Sequence, residues 1–227
     1  MIIESYTEAL RQYSNSYPDS PFFQTWVPEA KFISANIDGE NFAISREDGD
    51  AIYGIALGTS PVVPDTWKNF SIESRGVAAI PEQYKALGEW DCYWSPTIAG
   101  ELSSKENVSD DVIQKFLETH APQSSVFPGN KEIEKWITIF EKDELVAVAA
   151  LCRWESSFLV ASSVATHNEY RGKGFGQKVM RDCLIGAHNL GATELSLGVM
   201  HANTAAHKLY QSIGFRLMHN FTYCERK

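Results

Sequence analysis

The stretch from Phe158 to Leu190 constrains the fold of this chain more than any other. An apolar run, Phe158 to Thr166, leads into Glu169-Tyr170-Arg171-Gly172-Lys173-Gly174-Phe175-Gly176-Gln177, and a helix-period run, Gln177 to Leu190, follows at once. That order predicts a strand, a glycine loop and a helix N-terminus in succession. Glycines let backbone N–H groups approach a ligand closely, and the helix end adds partial positive charge. The combination predicts an anion site suited to a phosphate-bearing ligand.

The elements around the loop fix the fold class. Trp136–Phe140, Leu145–Cys152 and Phe158–Thr166 read as three strands, the first two joined by the turn Glu141-Lys142-Asp143-Glu144. A helix from about Gly174 to Leu190 has Val179, Met180, Cys183, Leu184 and Ala187 on its inner face, with Gly191 as its stop. A strand over Glu194–Met200, a helix over Asn203–Ile213 closed by Gly214, and a strand over Phe215–Cys224 complete the chain. The order β-β-β-α-β-α-β predicts an α/β (α+β) layer structure with a mixed, mostly antiparallel sheet flanked by helices.

The first half carries weaker signals. Glu4–Tyr13 reads as a helix, and Pro18 to Pro28 as a break. Lys31–Ile37, Asn41–Ser45 and Ala51–Leu57 read as a meander, with Asp38-Gly39 and Asp48-Gly49 at its turns. Pro81–Leu87 reads as a short helix and Trp90–Trp94 as a strand. The apolar-poor segment Ile98–Ser109 predicts a domain boundary, giving 1–104 and 105–227. Ser109-Asp110-Asp111 then caps a helix to His120 whose apolar face is Val112, Ile113, Phe116 and Leu117.

Composition narrows the function. A formal charge of −9 disfavours non-specific nucleic-acid binding, which relies on Lys and Arg neutralising phosphates. No signal peptide and no run of about 18 apolar residues is visible, so neither export nor a membrane span is expected. Cys92, Cys152, Cys183 and Cys224 are scattered without a CxxC pair, and the histidines lack ligand spacing, so a cytoplasmic protein without a metal is expected.

Two common phosphate loops do not fit. A P-loop needs Lys after its last glycine, where Phe175 follows Gly174. A dinucleotide fingerprint counted from Gly172 and Gly174 puts Gln177 in place of its third glycine. The pattern Arg171-x-x-Gly174-x-Gly176 instead resembles the cofactor loop of the GNAT superfamily of acetyl-CoA-dependent N-acyltransferases, Gln/Arg-x-x-Gly-x-Gly/Ala. Asn203-x-x-Ala206-x-x-Leu209-Tyr210-x-x-x-Gly214-Phe215 is similar to the superfamily's second block, in register downstream. Asn168 stands where the superfamily often has proline, and Asn also suits a turn. The resemblance covers roughly residues 105–227. Trp90–Trp94, Ser125–Gly129 and Trp136 further resemble bacterial chains whose N-terminal half is a degenerate copy of the same fold, which implies two tandem halves.

The resemblance implies roles for single residues. Arg171, Gly172, Lys173, Gly174, Phe175, Gly176 and Gln177 would cradle the pyrophosphate of acetyl-CoA. The backbone of Val164, Ala165 and Thr166 would bond the pantetheine arm, with one N–H polarising the thioester carbonyl. Asn203 would contact that arm, and its residue type equally suits a helix N-cap. Tyr210 would be the general acid that protonates the departing thiolate, although a Tyr at helical spacing is also an ordinary core residue. The base stays open among Glu155, Glu169 and His201. The expected function is N-acetyl transfer from acetyl-CoA to a primary amine of a small molecule or peptide by direct attack. A non-catalytic acyl-CoA sensor is the alternative, and a homodimer is open.

Overall fold

The computed structural model describes residues 1–104, 107–154, 156 and 158–227. In chain order its elements are β1 (Ile2–Ile3), α1 (Tyr6–Ser16), α2 (Phe22–Trp26), β2 (Phe32–Asp38), β3 (Asn41–Asp48), β4 (Ala51–Leu57), β5 (Asn69–Glu73) and β6 (Tyr84–Pro96). Then follow α3 (Asp110–His120), β7 (Ile133–Glu141), β8 (Glu144–Arg153), β9 (Leu159–Thr166), α4 (Phe175–Asn189), β10 (Glu194–Met200), α5 (Thr204–Ser212) and β11 (Arg216–Arg226). They form two compact units: Met1–Cys92 with Val199–Asn203 and Leu217–Lys227, and Tyr93–Gly198 with Thr204–Arg216. These are not the contiguous stretches 1–104 and 105–227 expected from composition, because most of the last strand belongs to the first unit.

In the first unit the strands lie in the order β1-β2-β3-β4-β5-β11-β6. The meander β2-β3-β4 is antiparallel, and Gly39 and Gly49 take positive φ at its two turns. Strand β4 then pairs in parallel with β5 from Tyr53↔Asn69 to Ala56↔Ile72. Helices α1 and α2 bury Ala9, Tyr13, Phe22 and Phe23 in one cluster with Ile37, Phe42, Ile44 and Ile55 of the meander. The break expected over Pro18–Pro28 holds, since α1 ends at Ser16, and the segment also carries the separate short helix α2, whose N-cap is Pro21; proline is tolerated where a helix begins because no intrahelical N–H bond is lost there. One expectation fails here. The helix expected over Pro81–Leu87 is instead the approach to and start of β6. Tyr84 is buried and its hydroxyl donates to the carbonyl of Trp67 at 2.7 Å, so packing overrides local propensity. Strand β5, five residues long, is not among the strands expected from the sequence.

In the second unit β10, β9, β8 and β7 are successive neighbours, and β7-β8-β9 is an antiparallel meander. Leu145 to Cys152 of β8 are all buried, as expected for a strand covered on both faces. Helix α3 packs Ile113, Phe116 and Leu117 with Leu145, Val148 and Ala165, while Val112, expected on that face, is exposed. Ser109 precedes α3 as its N-cap, but its backbone carbonyl, not its side chain, makes the capping contacts, accepting from Val112 and Ile113. Helix α4 lies close enough to the meander that a Cβ on Gly186 would stand 3.0 Å from Ile137 and Leu151. It ends in a Schellman cap: Gly191 has φ +81°, Ala192 N–H donates to Ala187 and Gly191 N–H to His188.

The two units repeat one order of elements. Each has helix, three-stranded antiparallel meander, then a strand parallel to the meander's last strand. They differ in the connection before that parallel strand. It carries the glycine loop and α4 in the second unit, while residues 58–68 of the first contain no helix. All four cysteines are buried free thiols. Among the described residues no helix is long and apolar enough to cross a membrane.

Candidate active site

The site begins with an irregularity in β9. Val148 pairs with Ala165 and Ala150 with Ser162, so two steps along β8 face three along β9. The extra residue makes a β-bulge. Ser163, at its centre, takes φ +50°, a left-handed conformation unusual for a residue with a Cβ. Its side chain holds it there: Oγ accepts from Val126 N–H at 3.0 Å and donates to Val126 carbonyl at 2.8 Å, both bonds buried. On its other edge β9 pairs in parallel with β10 through Leu159↔Leu195 and Val160↔Ser196 and, among the described residues, nowhere further along. Beyond Val160 the two strands part, leaving the bulge and the strand end Val164–Thr166 with an edge that β10 does not fill.

The glycine loop closes this opening. After a 3-10 turn at Asn168–Tyr170, the Arg171 guanidinium donates from Nε to Thr166 carbonyl at 3.4 Å and from Nη2 to His120 carbonyl at 3.1 Å. Arg171 therefore ties the loop to the end of β9 and the end of α3. Lys173 Nζ lies 4.7 Å from the centroid of the Tyr170 ring. Gly172 and Gly174 have φ +75° and +86°, and nothing lies within 4 Å of where a Cβ would be, so their backbone borders open space. Gly174 is the N-cap of the 15-residue helix α4. The N–H groups of Gly174, Phe175, Gly176 and Gln177 have no backbone acceptor among the described residues, whereas Lys178 N–H returns to Gly174 carbonyl. Uncommitted donors, a helix dipole and glycines that leave room in front of them fit a pyrophosphate.

The second block touches the first. Leu209 of α5 stands 3.2 Å from the position of a Cβ on Gly176, which explains a small residue there, and Gln177 Nε2 donates to Ser212 Oγ at 3.0 Å. Helix α5 ends in another Schellman cap, with Gly214 at φ +96° and Phe215 N–H donating to Tyr210 carbonyl at 3.0 Å. That cap seats the Phe215 ring 6.0 Å from the ring of Tyr210. Tyr93 lies 6.1 Å away on another side, its hydroxyl bonded to His207 Nδ1 at 2.9 Å. Tyr210 is 6% exposed, and its own hydroxyl has no hydrogen-bond partner among the described residues. Burial, and secondarily the neighbouring Cys183, push its pKa well above that of a free phenol, so it stays a protonated donor across the neutral range.

The remaining candidates separate. Asn203 is exposed and directly precedes α5, its N–H bonded to Met200 carbonyl. Glu169 is exposed on the 3-10 turn. Glu155 falls outside the described residues. His201 is exposed, and its Nδ1 pairs at 2.8 Å with Oδ2 of the buried Asp91, whose Oδ1 accepts from Asn220 at 2.6 Å. Hydrogen bonding to Asp91, and then its charge, raise the His201 pKa. Sequence reasoning missed Ser163, Val126 as its partner, Tyr93 and Asp91. Ser163 lies in the expected strand Phe158–Thr166, Val126 in Ser125–Gly129, and Asp91 and Tyr93 in the expected strand Trp90–Trp94, but nothing in the sequence singles out these side chains.

This fold and site define a class that comparison with known proteins makes explicit. The acetyltransferase (GNAT) family matches residues 106–215. The uncharacterized N-acetyltransferase YycN of Bacillus subtilis is 30% identical over 124 residues, covering 54% of this chain and 72% of that protein. The uncharacterized N-acetyltransferase YobR of the same organism is 31% identical over 98 residues, 43% of this chain, and the match spans 39% of YobR's length. The crystal structure of a GCN5-related N-acetyltransferase from Sphaerobacter thermophilus superposes on 100% of this chain and 95% of its own with a TM-score of 0.59 at 12% identity, a likeness of fold. The chain belongs to the GNAT acetyltransferase family.

Proposed function

We propose that this protein transfers an acetyl group from acetyl-CoA to a primary amine by direct attack in a ternary complex. The observation that carries the reading is the bulged strand β9 leaving β10 after Val160 and leading into uncommitted N–H groups at the start of α4. Acetyl-CoA supplies an activated thioester. The loop Arg171–Gln177 binds its pyrophosphate through backbone N–H groups, and Arg171 holds the loop in place. Val164, Ala165 and Thr166 offer backbone groups to the pantetheine arm along the edge that β10 does not occupy, and one N–H polarises the thioester carbonyl. Asn203 adds a polar contact to the arm. Tyr210, kept protonated by burial, gives its proton to the departing thiolate sulfur. The first unit repeats the order of elements without the loop and its helix, which supports reading it as a copy that has lost the cofactor site.

The test is release of free thiol from acetyl-CoA over a panel of polyamines, amino acids and peptides, with calorimetric titration of acetyl-CoA and ATP alongside. Turnover on an amine with acetyl-CoA bound and ATP unbound is the expected result. Binding without turnover on any amine favours a sensor, and equal binding of ATP overturns the loop assignment. Tyr210→Phe should lower kcat about tenfold to several hundredfold with little change in the Kd of acetyl-CoA. Unchanged turnover removes Tyr210 from the chemistry.

A further inference from the structure

The first unit holds a cavity of about 220 Å³ on the face of its own sheet, beneath α2. Strand register builds it. Arg46 on β3, Tyr53 on β4 and Asn69 on β5 are direct cross-strand partners, so their side chains form one row on one face. The Arg46 guanidinium carbon lies 4.6 Å from the centroid of the Tyr53 ring, the middle member of that row. Trp26 of α2 and Trp90 of β6 add aromatic walls, their rings 5.2 Å apart.

Besides Asp48 and Tyr223, which also line the cavity, its polar groups include a satisfied set and an unsatisfied set. Ser71 Oγ pairs with Tyr53 Oη at 2.6 Å and accepts from Trp90 Nε1 at 2.9 Å, so those three groups satisfy one another. Arg46 Nε and Asn69 Oδ1 are buried and have no hydrogen-bond partner among the described residues. Buried polar groups are nearly always paired, so an orphaned donor and an orphaned acceptor lining one cavity point to a ligand that bonds both. That ligand must offer an acceptor to Arg46 Nε and a donor to Asn69 Oδ1. Aromatic walls favour a flat body lying against them. The volume lies below the roughly 300–1,000 Å³ of pockets for drug-sized molecules, which restricts the occupant to a single small ring system.

We propose that the first unit binds a small planar heterocycle bearing a carbonyl beside a ring N–H, the lactam edge of a free nucleobase, with the carbonyl on Arg46 and the N–H on Asn69. Parallel pairing of β4 with β5 continues through this region, so the cavity is a pocket on a closed sheet face and not a second acyl-CoA cleft. It is independent of the acetyl-transfer reading.

Calorimetric titration of the full chain, without acetyl-CoA, tests it with uracil and hypoxanthine as lactam probes and indole as a flat control without a carbonyl. At least one lactam should bind with a Kd below about 1 mM and perturb tryptophan fluorescence, with indole at least about tenfold weaker. Arg46→Met and Asn69→Leu should each weaken the lactam at least about tenfold, with the urea midpoint reported beside each variant to show that it is folded. Acetyl-CoA should bind all three proteins alike. Absence of lactam binding, indole binding as well as the lactams, or folded variants with unchanged affinity would each overturn the proposal, whatever the outcome for acetyl transfer.

Discussion

Ser163 offers the sharpest test of how β9 is held. Replacing it with Ala removes the Oγ that both accepts from and donates to Val126, and leaves that residue's N–H and carbonyl buried. Each unsatisfied buried group costs about 1–3 kcal/mol, so the loss of both should be about 2–6 kcal/mol. Ser163→Gly loses the same two bonds but has no Cβ. Left-handed backbone costs a residue with a Cβ about 1–2 kcal/mol, while glycine's extra chain entropy costs about 0.5–1 kcal/mol. At φ +50° the first effect wins, so the Gly variant should be the more stable of the two by about 0.5–1 kcal/mol, although it has fewer atoms. Urea titration with linear extrapolation measures both, and equal m-values for the three proteins would show that only stability changed. An Ala variant within about 0.5 kcal/mol of wild type would mean that Val126 finds other partners. An Ala variant more stable than the Gly variant would mean that the bulge is not held in the left-handed region in solution.

Two further perturbations probe the first unit. A Cβ on Gly54 would lie 2.0–2.4 Å from ring atoms of Trp67, which is fully buried and fixed by a 2.8 Å bond from its Nε1 to Ser45 Oγ, so Gly54→Ala should cost about 3 kcal/mol or more in urea unfolding. A smaller loss would show that the indole can move aside. For Glu73, burial raises the carboxyl pKa, but hydrogen bonds from His219 and Gly58 N–H, the His219 charge and Arg75 outweigh it and hold it below the ordinary value of 4.5. A folded pKa below the unfolded one means the contribution is present above about pH 4.5 and lost as pH falls through the folded value. The stability difference between wild type and Glu73→Gln should therefore shrink on acidification below pH 4.5, and a pH-independent difference would remove the carboxylate's charge from the account.

What the chain shows in its residues and what it conceals follow from the range of the interactions involved. The loop Arg171–Gly176 is legible because its geometry is local: glycines at positive φ and a helix beginning at Phe175 are properties of adjacent residues. Tyr210, Gly214 and Phe215 are legible for the same reason, since one helix cap fixes their spacing. The order of strands and helices from Ile133 onward also follows from local periodicity. The meander of the first half is readable too, through its Asp-Gly turns.

The concealed features each depend on a partner remote in the chain. Ser163 reads as one more residue of a strand, and only Val126, 37 positions earlier, makes its left-handed conformation tolerable. Asp91 and His201 are 110 positions apart, and neither belongs to a recognisable motif. Tyr84 becomes part of a strand because Trp67 and its surroundings receive it, against the helix signal of its own neighbours. Arg46, Tyr53 and Asn69 meet only because two strand registers, one antiparallel and one parallel, place them in a row, and a one-residue slip in either would send a member to the opposite face. A site that binds through main-chain amides can thus be encoded in a dozen consecutive residues. A site that binds through side chains on separate strands exists only once the sheet has set its register, which is why the proposed cofactor loop of the second unit is visible in the sequence and the proposed pocket of the first is not.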